Sequence, residues 1–181
     1  CTTPSDQVLS NLKFIFVIDR SGSNQIRYDL QNGNAPLPGT DPSGTRRFDA
    51  LIRFVQSYNQ DPNIFWSLIN FSAGASIDQN FTSDKAGFEN FLINERNQTQ
   101  QNDGGYTDYL SAEDAVVQII QNDIDANRNN LPVVASNYVV FFVSDGAPID
   151  GNGNLQDTNA ILGQIDTIVN FEVNERRFVD G

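Results

Sequence analysis

Histidine and methionine are absent from these 181 residues, and cysteine occurs once, at position 1. No imidazole is therefore available as a general base, and neither an internal disulfide nor a typical nitrogen–sulfur zinc site can form. Long hydrophobic runs are missing too. The longest apolar stretches are of strand length, far below the ~20 residues of a membrane-crossing helix. Basic residues are scarce, 11 Lys and Arg against 23 Asp and Glu, for a formal charge of −12. Such a surface repels polyanions, which argues against nucleic acid as a partner, and it concentrates cations wherever carboxylates converge. Hydrophobic residues nevertheless make up 39% of the chain. That is enough for one domain whose size predicts burial of roughly 70% of the unfolded surface.

The lack of methionine implies that the chain does not begin at its own start codon, so it is expected to be processed or part of something longer. Cys1 followed by the polar run Thr2-Thr3-Pro4-Ser5-Asp6-Gln7 resembles the mature end of a bacterial lipoprotein. In that class the first residue is a lipid-bearing cysteine. The resemblance implies lipidation of Cys1 and display at the bacterial cell envelope or surface, with the membrane reached only through the lipid. An arbitrary chain boundary is the alternative.

Along the chain, residues 1–12 read as a polar tether and residues 13–181 as one domain. Residues 14–18 are continuously apolar and end at Asp19, the pattern of a strand buried on both faces. Residues 24–46, rich in Asn, Gly and Pro, read as a long loop. From Arg47 a helix is expected, with Phe48, Leu51, Ile52 and Val55 on one face. Residues 64–71 read as a second strand and 76–81 as a half-exposed third. Phe88, Phe91 and Leu92 mark a short helix, residues 97–105 a polar stretch, and Val116, Ile119, Ile120 and Ile124 a longer helix. Residues 138–143 form another apolar strand, followed by Ser144-Asp145-Gly146. The last clear element is helical, with Ile161, Ile165, Ile168 and Val169 on one face. Strands alternating with helices indicate an α/β fold with a mostly parallel sheet. In such sheets ligands bind beyond the carboxyl ends of strands, where Asp19 and Asp145 fall.

The segment Asp19-Arg20-Ser21-Gly22-Ser23 offers one carboxylate and two hydroxyls on alternate residues. In a tight loop these side chains can converge, and Gly22 relieves the crowding. Hard oxygen donors of this kind suit Mg2+, Mn2+ or Ca2+. The segment resembles the D-x-S-x-S motif of the von Willebrand factor A family, which includes the inserted domains of integrins and many bacterial adhesins. Gly104-Gly105-Tyr106-Thr107 is similar to that family's Gly-Gly-x-Thr loop, and Phe142-Val143-Ser144-Asp145-Gly146 to the strand end that supplies its second aspartate. Phe71-Ser72 also resembles the family's usual ending of the second strand.

Covering residues 13–169, the resemblance implies a three-layer, doubly wound sheet with one antiparallel edge strand. It also implies a metal-ion-dependent adhesion site made by Asp19, Ser21, Ser23, Thr107 and Asp145. In such a site the hydroxyls bind the ion directly and the aspartates largely through water. A carboxylate from a protein or glycan partner then completes the coordination. Asp108, next to Thr107, reads as the cap of the following helix, with a place behind the metal ligands as the other option. Asp150, Asn152, Asn154 and Asp157 alternate like the opening of a calcium loop. The glycine at its sixth position and the glutamate at its twelfth are missing, so a polar turn is the competing reading.

The chain departs from the family after Val169, where further strands and a last helix are expected and at most part of another element is read. Either the remainder lies outside this chain, or a second chain or domain completes the sheet. Beyond adhesion, A domains also serve as intracellular scaffold or chaperone-type subunits of metal-inserting or remodelling complexes. A metal-dependent hydrolase is disfavoured. No histidine is present, and Ser21 stands where the D-x-D-x-T/V motif of aspartate-nucleophile phosphatases needs its second Asp.

Overall fold

The computed structural model describes residues 10–29, 31–127 and 134–179. In chain order the elements are β1 (Ser10–Asp19), β2 (Ile26–Asp29), β3 (Ala35–Pro38), α1 (Arg46–Gln56), β4 (Ile64–Phe71), β5 (Ala75–Thr82), α2 (Lys85–Asn102), α3 (Tyr109–Asn127), β6 (Ala135–Val143) and α4 (Thr158–Val179). Among the described residues the main sheet has the order β5-β4-β1-β6. β1 runs parallel to β4 and β6, and β5 closes one edge antiparallel to β4.

Side chains alternate across a strand, so the apolar run of β1 supplies both faces of the sheet. Phe14, Phe16 and Ile18 point to one side, where they pack with Phe48, Leu51, Ile52 and Val55 of α1, Trp66 and Leu68 of β4, and Phe88 and Leu92 of α2. Ile15 and Val17 point to the other, against Ile69, Phe71 and the α3 residues Ala112, Ala115, Val116, Ile119 and Ile120. Helices on both faces of a mostly parallel sheet are the three-layer α/β arrangement expected. Each fully buried Ile, Val or Phe stabilises by roughly 1.5–3 kcal/mol, so β1 is the most heavily secured strand.

The register sets up the functional end. Asp19 lies opposite Phe71 and Ile18 opposite Val143, so β1, β4 and β6 finish at one level. The chain leaves β1 for β4 on one side and returns to it as β6 on the other. The loops after β1 and β6 therefore flank the point where the winding reverses.

Several boundaries differ from the sequence reading. β1 begins at Ser10, so residues 10–12, read as the end of a tether, pair in the sheet with β6. Residues 24–46 are not plain loop, since β2 and β3 form an antiparallel hairpin there, turned by Gly33 and Asn34 at positive φ. α2 runs through Asn102 and absorbs two thirds of the polar stretch, because no Gly or Pro interrupts residues 97–102. β6 starts at Ala135 and, among the described residues, lies at a sheet edge, which leaves Phe141, Phe142 and Val143 more than a third exposed despite their apolar run. α4 continues to Val179 and takes in the segment after Val169.

Candidate functional site

β1 delivers Asp19, 1% exposed, to the carboxyl end of the sheet, where the chain turns through a short 3-10 segment, Gly22–Asn24. Asp19 Oδ1 accepts the Ser21 backbone N–H at 2.7 Å, which folds the loop back on the carboxylate. Asn24 Nδ2 donates to the carbonyls of Asp19 and Ser21 at 3.2 Å each and locks the turn. In that geometry Ser21 Oγ and Ser23 Oγ stand 3.0 Å apart.

Two further loops bring their oxygens to the same point. Ser23 Oγ donates to Asp145 Oδ1 at 2.8 Å, across 122 residues of sequence. Ser144 Oγ hydrogen-bonds Asp19 Oδ2, so the β1 and β6 ends are joined from both directions. Thr107 is 5% exposed and pairs through its backbone with Ile149 at 3.1 and 2.9 Å. A Cβ placed on Gly146 would lie 3.1 Å from Thr107 Oγ1 and 3.5 Å from Ser23 Oγ, so both hydroxyls border one small cradle. Gly104 N donates to Arg20 O at 2.8 Å and Gly22 N to Gly105 O at 3.3 Å, tying the threonine loop to the serine loop. Gly105 has φ +78° with the Ala73 Cβ 3.4 Å from where its own would be, a conformation that favours glycine. All five residues singled out in the sequence thus lie around one cluster at the carboxyl end of the sheet.

Sequence reasoning missed what holds the cluster. Arg20, inside the motif, forms ion pairs with Glu95 at 2.7 Å and with Asp103 at 3.2 Å. Asp103, its side chain wholly buried, also pairs with Arg47 of α1. Burial pushes the Asp103 carboxyl above the usual range, and the hydrogen bonds and charges of Arg47 and Arg20 pull it back. This bridge fixes the residue just before Gly104-Gly105, and so the approach of Thr107. Thr40, after the β2–β3 hairpin, hydrogen-bonds Asp145 Oδ2, which brings the long loop onto the cluster. Thr40 carries no motif signal, and Arg20 is the unspecified x of its motif.

Asp108 caps α3: its carboxylate accepts Ser111 N at 3.1 Å and Ser111 Oγ at 2.8 Å, and Gln156 Nε2 at 2.6 Å. The segment from Asp150 forms a tight turn, in which Asp150 Oδ1 accepts Asn152 N at 2.9 Å and Asn154 N at 2.8 Å. Those bonds hold the Asp150 carboxyl below its ordinary value. Asp157 accepts Asn159 N at 2.9 Å and caps α4. Cys1 lies outside the described residues.

No family model and no curated protein sequence matches the chain. Solved structures do. The manganese-loaded TRAP protein of Plasmodium vivax is similar over 90% of this chain and 54% of its own length, at 14% identity and a TM-score of 0.58. The pilus adhesin SpaC of Lactobacillus rhamnosus GG is similar over 91% of this chain and 24% of its own, at 12% identity and a TM-score of 0.52. The vWF domain of the type V pili tip protein Mfa5 of Porphyromonas gingivalis is also similar, at 13% identity and a TM-score of 0.39, over 76% of this chain and 38% of its own. The chain therefore spans about half or less of each of these structures. At such identities the likeness to the first two shows the fold alone, a mostly parallel α/β sheet flanked by helices, as in von Willebrand factor A-like domains.

Proposed function

We propose that Asp19, Ser21, Ser23, Thr107 and Asp145 hold one divalent cation, Mg2+, Mn2+ or Ca2+, and that the domain uses it to grip an acidic group of a partner. The observation that carries this reading is the convergence of hydroxyl and carboxylate oxygens from three separate loops, centred on the Ser23–Asp145 hydrogen bond of 2.8 Å. The donor set fits hard cations, and the cradle beside Gly146 is kept clear by the missing side chain. Among the described residues no three Asp, Glu, His or Cys side chains converge, so the cluster relies on its hydroxyls. When bound, the ion supplies an underneutralised coordination position to which a carboxylate of a protein or glycan can add. Ser21, Ser23 and Thr107 contribute neutral oxygens and so preserve that positive charge on a protein of formal charge −12. Asp19 orients the serine loop through Ser21 N–H, and Thr40 sets the wall that a partner meets.

The reading is adhesive and not enzymatic. It is supported by the fold shared with a pilus adhesin and with a protein whose structure is manganese-loaded. It extends to location, a module displayed at the bacterial surface or envelope with a lipid on Cys1, for which the intact mass of native protein is the test. Among the described residues β6 has no neighbour on its outer side, an edge that a strand from a second chain or domain would extend.

Calorimetric titration of chelator-stripped protein with Mg2+, Mn2+ and Ca2+, beside Asp19→Ala and Asp145→Ala, tests the metal. Saturable binding lost in both variants supports the proposal. Unchanged affinity in the variants, or no binding in a folded wild type, refutes it.

A further inference from the structure

Between α3, β6 and α4 lies a cavity of about 460 Å3 that shares no residue with the oxygen cluster. Its walls are apolar: Val116 and Ile120 of α3, Val140 and Phe142 of β6, Ile161 and Ile165 of α4. Val140 and Phe142 are alternate residues and face the same side of the sheet. The cavity therefore opens on the face of β6 and not along its hydrogen-bonding edge, so a strand added at that edge would extend its floor.

One carboxyl breaks the apolar lining. Glu113 of α3 is 4% exposed, and its Oε2 has no hydrogen-bond partner. The neighbouring donors are committed elsewhere. Tyr109 donates its hydroxyl to Gly146 O at 2.9 Å, Tyr138 donates to Asp123 Oδ2 at 2.5 Å, and the Gln164 amide donates to Asp114. No Lys or Arg lines the cavity among the described residues. A buried carboxylate without a donor is costly, and a cation brought to it by a ligand removes that cost. The volume falls within the ~300–1,000 Å3 of small-molecule sites, and an apolar wall with a single convergent polar group is their usual make-up.

We propose that this cavity is a second binding site, for a small ligand with an apolar body and a protonated amine that pairs with Glu113. Charge complementarity chooses the ligand class. A neutral body leaves Glu113 unpaired, and an anion is repelled by Glu113 and Asp114 together.

Tryptamine and its neutral analogue tryptophol are suitable probes, titrated into the full chain by calorimetry at about pH 8, where Glu113 is charged and the amine still protonated. Tryptamine binds at least about tenfold more tightly than tryptophol, the scale of one hydrogen bond to a charged group. Glu113→Gln removes that preference. Ile165→Trp, a change at a position 43% exposed on the rim, fills the cavity and weakens both probes while the fold persists by circular dichroism. Equal affinity of wild type for the two probes overturns the proposal, as does saturable binding of neither, or a preference that survives in Glu113→Gln. Sedimentation covers the other occupant: self-association that Ile165→Trp abolishes would assign the cavity to a second copy of the chain and overturn the amine. If Glu113→Gln does not fold, the comparison of the two probes on wild type and on Ile165→Trp still decides.

Discussion

Replacing Glu113 by glutamine removes a titrating group from the interior and should change how stability depends on pH. Burial, reinforced by the adjacent charge of Asp114, pushes the Glu113 carboxyl from 4.5 up to about 7. Below 4.5 the group is protonated in both folded and unfolded chains and costs nothing. Between 4.5 and about 7 the unfolded chain gives up its proton while the folded one retains it, so folding stability falls as pH rises. Above about 7 both states are charged and the loss is complete. Fully expressed, a change of that size is worth about 3 kcal/mol, and solvent at the open side of the cavity reduces it to ~1–2 kcal/mol. At ~2–4 °C per kcal/mol for a chain of this length, the melting temperature should drop by ~2–8 °C across the window. The assay is urea denaturation of wild type and Glu113→Gln at steps from about pH 4 to about pH 8. A constant offset between the two is expected from the amide itself, so the difference curve is what counts. Other carboxyls, including the raised Asp103, titrate in both proteins and cancel. Parallel curves over the whole range would refute the claim that Glu113 is held protonated by burial.

Other perturbations separate scaffold from site. Ser23→Ala deletes the hydroxyl that bridges Ser21 and Asp145, and should cost only about 1 kcal/mol in denaturation while weakening cation binding at least tenfold by calorimetry. Asp103→Ala strips a buried carboxylate from Arg20 and Arg47, so a loss of about 3–5 kcal/mol is expected in urea melts; a loss under ~1 kcal/mol would show the bridge to be idle. Gly105→Ala forces a side chain into φ +78°, and should cost ~1–2 kcal/mol and lower cation affinity by displacing Thr107. Asp108→Ala unmakes the α3 cap, with an expected loss of ~1–2 kcal/mol and cation affinity unchanged, because its oxygens serve Ser111 and Gln156.

What could be read from the sequence was whatever is local and periodic. The continuous apolar run before Asp19 announced a strand buried on both faces, and spacing alone identified the four α1 residues that enter the core. Asp19, Ser21 and Ser23 were legible because five consecutive residues form their loop. Asp145 was placed with Asp19 by its position at the end of an apolar strand, whereas Thr107 came only from resemblance to a family pattern. Tertiary structure decided the remainder, because it depends on which segments meet. The apolar run of β6 did not reveal that it would sit at a sheet edge, and the polar residues 97–102 did not reveal a helix. Thr40 reaches Asp145 across 105 residues, and Arg47 reaches Asp103 across 56. Glu113 occupied an unremarked position in an amphipathic helix until α4 was laid beside α3 and enclosed it. Hydrophobic period is a property of neighbours along the chain. Ion pairs, edges and cavities are properties of neighbours in space, which only the packed fold defines.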